Sequence, residues 1–484
     1  MSKKIVTIMF IFVLLAGLVT ACKPGATATN EGAVEEGGSN EGAVEEVGTE
    51  DQALGTGTLH IIGSERTYPG EADAWDEVIA DFEEEYGVTV EVKWQGAWNE
   101  IPQMLETARM AGEPVDISSA GAGLVNTTLV RSGIAMDLTE YIQPFESRFS
   151  EGSFLAYTID GKVWGIPYGA SSTTGMLYNK TMFDELGLEE PTTYEELVEV
   201  SQVIAEEKGI IPMIHDGKAP WFWPIWFFEA YAQTTGNNSI QSVVDFLSGN
   251  KQFTGPEEIA AFEKIAQFYE DGILTQESLD TDTDAKFAVF AQEQAAMFYA
   301  GTWHLAPVRA VVGDAFEIGI FEFPIVVEGS ISQHGGGPGD CFIIPSFADP
   351  ANYGLSRQFF EFISRPENAT KILSNRDPLG PSIAAVPSTE TEPLANELVE
   401  EFYPNTITFL DWIWPVEVND AFVAGIPAVL SGNMTAEEAT QRVQDALETL
   451  IEEKEFQFDW WSTWTAEDWD KVTMKNLPEI EVKE

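Results

Sequence analysis

The chain is poor in cysteine, in basic residues and in histidine, and each shortage removes a class of chemistry. Its 484 residues include two cysteines, Cys22 and Cys341. Two thiols so far apart in sequence build neither a disulfide framework nor a multi-thiolate metal centre. Only 25 residues are Lys or Arg against 80 Asp or Glu, a formal charge of −55. Like charge then excludes nucleic acid as a partner, since no basic patch is present to release counterions, and it disfavours polyanionic substrates. His60, His215, His304 and His334 share no metal-ligand spacing, and neither H-E-x-x-H nor G-x-S-x-G occurs. Gly335-Gly336-Gly337-Pro338-Gly339 lacks the Lys that a phosphate loop carries before its helix. No metal and no cofactor is implied. Glycosidase chemistry needs only two carboxylates about 5 to 10 Å apart, so their abundance here decides nothing.

What is plentiful is aromatic. Phe, Trp and Tyr make up 12% of the chain, with 14 Trp and 30 Phe, which marks a packed protein. At roughly 150 residues per domain, the length suggests two or three domains.

The N-terminus reads as an address. Lys3 and Lys4 precede an apolar run from Ile5 to about Leu18, then Val19-Thr20-Ala21-Cys22. The run is shorter than the roughly 20 residues of a membrane-spanning helix, and turns polar at Lys23-Pro24-Gly25. It resembles the lipobox of bacterial lipoproteins, with Cys22 as the acylated residue, so residues 1–22 are expected to be a signal peptide. In residues 23–55, Asn30-Glu31-Gly32-Ala33-Val34-Glu35-Glu36 recurs as Asn40-Glu41-Gly42-Ala43-Val44-Glu45-Glu46. Without aromatic residues this stretch is expected to be a solvated acidic tether. Three basic and eight acidic residues lie before residue 56, so the body still carries −50. That charge reads first as a solubilising surface.

The body alternates strands and amphipathic helices. Thr58 to Ile62 reads as a strand and Gly63-Ser64-Glu65-Arg66 as a loop. Trp75, Val78, Ile79, Phe82 and Tyr86 fall at helical spacing before Gly87. Val88 to Val92 and Val115 to Ser118 are further strands, the latter followed by a Gly-rich loop. Asp160-Gly161 marks a hairpin, and Thr193 with Glu196, like Thr435 with Glu438, makes a capping-box pattern. Gln294–Tyr299, Phe316–Phe321 and Cys341–Ile344 read as later strands. The rhythm predicts two α/β lobes with largely parallel, helix-covered sheets.

Several segments resemble family 1 extracellular solute-binding proteins, the carbohydrate receptors of ABC importers. They are Gly165-Ile166-Pro167-Tyr168 with Leu177-Tyr178-Asn179-Lys180-Thr181-Met182-Phe183; Pro191 to Leu197; Ala296 to Trp303; Gly335 to Pro345; and Phe359 to Glu367. The resemblance covers essentially residues 56 to 450, in order. The resemblance implies an α/β, two-lobed periplasmic-binding-protein-like fold of type II, with the ligand between hinged lobes. It assigns residues 56–166 plus about 331–378 to the N-lobe, and 167–330 plus about 379–484 to the C-lobe. The implied protein is a monomer, held to the membrane through its lipid anchor only. It binds a small-molecule carbohydrate, favouring a di- or oligosaccharide of the α-glucoside type, and delivers it to the transmembrane subunits of an ABC permease.

A sugar offers C–H faces to aromatic rings and hydroxyls to planar polar groups, so its receptor needs both. Trp303 matches the stacking Trp of the resembled family. Trp221, Phe222, Trp223 and Trp226 form a run too broken by Pro220 and Pro224 to be one face of a core helix, so Trp221 or Trp223 should face the cleft. Trp412 and Trp414 alternate, and one of them is expected there too. Polar contacts should come from loops at the ends of strands: Ser64, Glu65 and Arg66; Trp94 and Trp98; Gly121; Tyr168 and Ser171; and Gly336. Asp116 reads as structural and Cys341 as a buried thiol. Trp460, Trp461, Trp464 and Trp469 have no assignment beyond packing on the C-lobe. Two other readings stay open: a receptor for a cationic solute such as a polyamine, and a surface glycoside hydrolase.

Overall fold

A computed structural model describes residues 57–454, apart from 67, 69, 97, 150–152, 160, 374–382, 384–392 and 395–396. Cys22, the tether and the tryptophans from Trp460 to Trp469 lie outside the described residues. In chain order the described strands are β1 Thr58–Gly63, β2 Thr89–Trp94, β3 Ile117–Gly121, β4 Thr158–Ile159, β5 Lys162–Val163, β6 Ile166–Pro167, β7 Ser171–Ser172, β8 Thr174–Asn179, β9 Ile211–Ile214, β10 Ala295–Gly301, β11 Ile318–Phe321, β12 His334–Pro338, β13 Asp340–Ile343 and β14 Thr406–Thr408.

Two principal sheets form the two lobes. The first has the order β2-β1-β3-β13-β6 and the second β11-β8-β10-β9. Pairing is parallel between β1 and both β2 and β3. The second sheet departs from the parallel expectation: β8 runs antiparallel to both β10 and β11. More than a hundred residues separate β8 from β10, so no short βαβ crossover imposes a parallel direction. Alternating side chains feed a core on each face. On β1, Leu59 and Ile61 enter one core and Ile62 another; on β8, Met176 and Tyr178 enter one and Leu177 another. Burial on both faces is why these strands read as near-continuous apolar runs.

The local signals in the sequence correspond to real contacts. Thr193 Oγ1 accepts from the Glu196 N–H while the Glu196 carboxylate accepts from Thr193, and Thr435 and Glu438 repeat the exchange. Gly87 closes the helix Glu71–Tyr86 in the left-handed region. Asp116 accepts from the His60 N–H at 2.8 Å and from Asn352 at 3.0 Å, tying β1 to a distant helix start. Cys341 is fully buried, and burial pushes its thiol pKa up.

A third, small sheet of order β14-β12-β7 sits where the chain passes between the lobes. β7 lies in sequence between β6 of the first sheet and β8 of the second, and Gly339 alone separates β12 from β13. Two expectations are corrected here. Gly336 is no loop residue; it lies within β12, opposite Thr408 of β14. Ser171 belongs to β7, is buried, and its carbonyl accepts from the Tyr403 hydroxyl at 2.7 Å. The glycines serve close strand approach, because a Cβ on Gly336 would come 2.1 Å from the Ser172 carbonyl oxygen. Gly336→Ala is therefore expected to destabilise by about 1–3 kcal/mol or more. Gly425→Ala, inside a helix and 3.6 Å clear of Ala439, should be neutral or stabilising by up to about 1 kcal/mol. Urea unfolding of the two variants checks the contrast.

Candidate functional site

Three of the expected contacts, Arg66, Trp94 and Tyr168, come together at one guanidinium. Arg66, in the loop after β1, lies 3.9 Å over the centroid of Trp94, with Trp75 at 5.1 Å and Tyr168 at 5.6 Å. Its Nη1 donates to the Tyr168 hydroxyl at 3.0 Å and lies 3.5 Å from Glu71 Oε1. The side chain is 2% exposed. The expectation that Arg66 reaches a ligand is thus corrected: it fills an aromatic box of its own protein, where a desolvated cation–π contact is worth about 2 kcal/mol. Tyr168 is corrected with it, since its buried ring stacks on Phe342 at 4.2 Å.

Trp94 is half-buried and lies against Gly63, where a Cβ would come 2.3 Å from its ring. Its face is taken by Arg66. Ser64 is buried, and its N–H donates to Ser119 Oγ at 3.0 Å. Ser64 Oγ, Arg66 Nε and Nη2, and Trp94 Nε1 are closed off from solvent without a hydrogen-bond partner among the described residues. All can donate. Glu65 is exposed, Trp98 is half-buried on the turn Trp98–Glu100, and Gly121 ends β3 opposite Asp340. An apolar cavity lined by Phe149, Ile166, Phe360 and Ile372 lies inside the first core and is unsuited to a polar ligand.

The second lobe supplies the rings. The tryptophan run is, against expectation, the start of a core helix: a turn Pro220–Phe222 continues into a helix Trp223–Thr234. Pro220 and Pro224 each occupy a first turn, where a missing N–H costs nothing. Trp223 is 1% exposed and donates to the Gly217 carbonyl at 3.1 Å, whereas Trp221 is 42% exposed. Trp414 is wholly buried and stacked on Phe422 at 4.4 Å. Trp223 and Trp414 are therefore corrected to core residues, because an indole buried on all sides offers no face to a ligand.

Trp303 follows β10 and folds back over Gly301, where a Cβ would come 2.1 Å from the ring. Ring centroids then run from Trp221 to Trp303 at 6.1 Å, to Phe409 at 6.0 Å and to Trp412 at 5.0 Å. Trp412 ends the row at the junction of the lobes. It packs against the cores of both and lies where a Cβ on Gly123 would meet its Cδ1 at 2.8 Å. Arg131 and Glu417 also meet across the junction, at 3.8 Å.

Behind this row lies a polar layer that the sequence does not reveal, because no spacing links its members. Lys286 Nζ is 2.9 Å from Asp216 Oδ1, both side chains being wholly buried, and 5.3 Å from the Phe222 ring. Trp226 Nε1 donates to His215 Nδ1 at 2.9 Å, and Trp303 Nε1 to His304 Nε2 at 3.2 Å. Burial pushes the His215 pKa down to about 3 and that of His304 well below its usual range, with the Lys286 charge adding to both. Both imidazoles are thus neutral and able to accept from the indoles. Burial is the largest single influence and would raise the Asp216 pKa, but the Lys286 ammonium, its hydrogen bond and the neighbouring imidazoles together outweigh it and hold the carboxylate ionised.

Residues 77–397 match the family described as bacterial extracellular solute-binding protein. The chain belongs to that family. This solute-binding protein is 24% identical over 276 residues to an uncharacterised ABC transporter extracellular-binding protein of Pyrococcus horikoshii, covering 55% of this chain and 61% of that one. It is 28% identical over 176 residues to a multiple sugar-binding protein of Streptococcus mutans, covering 35% and 40%. The match thus spans less than two thirds of the length of either relative. A solved structure concerned with xylan utilization by the thermophilic bacterium Caldanaerobius polysaccharolyticus superposes with a TM-score of 0.69 at 19% identity, covering 80% of this chain and 99% of that one. That likeness establishes a common fold. Among the described residues no helix is long and apolar enough to cross a membrane.

Two outcomes follow from the buried layer. Lys286→Met leaves Asp216 without its counter-charge and should cost about 3–5 kcal/mol in urea unfolding. The unfolded chain binds protons near the ordinary histidine pKa that the folded His215 refuses, so stability falls as pH drops below about 6.5. In His215→Gln that loss should be shallower by up to about 1.4 kcal/mol per pH unit, read from unfolding at pH 7 and pH 5.

Proposed function

We propose that this protein captures a di- or oligosaccharide between its lobes as the extracytoplasmic receptor of an ABC importer and presents the closed form to the permease. The observation that carries the reading is the row of Trp221, Trp303 and Trp412, which leads from an exposed ring to the lobe junction. Sugar C–H faces pack on such rings. A ligand touching both lobes binds the closed form better and shifts the population toward it. The names of the Pyrococcus and Streptococcus relatives support the transporter role and the sugar class respectively.

The division into an N-lobe of residues 56–166 plus about 331–378 and a C-lobe of the rest is supported by sheet membership: β1 to β3, β6 and β13 share one sheet, and β8 to β11 the other. Anchoring through Cys22 accords with an extracellular family. The cationic-solute reading loses force because the aromatic box beside Glu71 already holds Arg66.

Titration calorimetry with maltose, maltotriose, raffinose, xylotriose, chitotriose and spermidine, at low and high salt, tests the proposal. The expected result is one-to-one binding of a saccharide, indifferent to salt and weakened about tenfold or more by Trp303→Ala. Salt-sensitive spermidine binding, with no heat from any sugar, would overturn the substrate class.

A further inference from the structure

The turn Leu410–Trp412 carries one group that the aromatic row does not explain. Leu410 and Ile413 are buried in the second core and fix the turn. Asp411 stands beside Trp412 at the lobe junction, its carbonyl oxygen 3.6 Å from where a Cβ on Gly123 would lie. Its carboxylate Oδ1 is closed off from solvent and has no hydrogen-bond partner among the described residues. A carboxylate oxygen withdrawn from water without a donor is costly, and the usual remedy is a partner that arrives from outside the chain.

Among the described residues, the elements packed on the turn supply no counter-charge. Ala122–Leu124, packed against the turn, contains no ionisable residue. The helix Trp223–Thr234 brings Glu229, whose Oε1 accepts from the Thr174 hydroxyl at 2.6 Å and the Tyr299 hydroxyl at 2.5 Å. The helix Val416–Leu430, which follows the turn, brings Asp420 and Glu417, the latter 3.8 Å from Arg131.

We infer that the Asp411 carboxylate accepts hydroxyl hydrogens from the sugar stacked on Trp412, so that capture of the sugar releases a proton. The inference rests on the carbohydrate reading above. Burial pushes the Asp411 pKa up to about 7 against a smaller opposing pull from its own backbone N–H, so the empty site is partly protonated near neutrality. Hydroxyl donors favour the charged form and lower that pKa on binding. Affinity is then highest above pH 7 and falls as the pH drops, by at most about tenfold per unit.

The test is calorimetry of the full chain at pH 7 with the same saccharides, in phosphate and in Tris, whose protonation heats differ. The expected heats differ by the release of about half a proton per sugar bound. Asp411→Asn should abolish the difference, weaken binding about tenfold to a hundredfold at pH 8, and raise the melting temperature of the empty protein at pH 8 by removing a buried charge. Tight sugar binding with equal heats in both buffers, or unchanged affinity in Asp411→Asn, overturns this inference alone. Silence from every saccharide overturns the carbohydrate reading and this inference with it.

Discussion

The two lobes are joined across a strand whose central residues have no side chains. β12 must lie between β7 and β14 while its own continuation, β13, enters the first sheet one residue later. Gly335, Gly336 and Gly337 make that possible, because a Cβ on any of them would meet a ring or a carbonyl within 3.3 Å. The space those side chains would have filled is taken by Phe409 and Trp412. The aromatic row thus depends on the crossing: the residues that let the backbones approach also set the last ring at the lobe junction. A crossing built this way couples its own geometry to the position of the aromatic row.

Much of the architecture was legible in the sequence, and the reasons are local. The helix Glu71–Tyr86, its glycine stop, the two capping boxes and the strands at Thr58, Ala295 and Asp340 each follow from periodicity or end signals within a few residues. The antiparallel run of β8 was not legible, since pairing between segments a hundred residues apart leaves no local trace. The glycine run reads as a loop from sequence for a related reason: only the neighbouring strands show why side chains are missing there.

The site was legible in composition more than in detail. Abundant tryptophan pointed to stacking, yet Trp221 and Trp223 lie two residues apart and the fold exposes one and buries the other. That choice turns on Pro220 and Pro224 beginning a turn and a helix where they had been read as breaking one. Arg66 and Tyr168 sit on the expected loops, but their side chains turn inward. The layer of His215, Asp216, Lys286 and His304 was invisible, because the chain assembles it from three separate segments. Position along the chain placed these residues at strand ends, whereas the direction of each side chain was decided by what it could bury against.

The box around Arg66 has a bearing on selectivity. A chain of formal charge −55 draws small cations from its surroundings. Three aromatic rings beside a carboxylate would be an inviting place for them. The chain keeps its own guanidinium there, tethered at an effective concentration that a dilute solute does not reach. Exclusion of the wrong ligand is achieved by tenancy, so the acidic exterior can serve solubility without recruiting competitors into the first lobe.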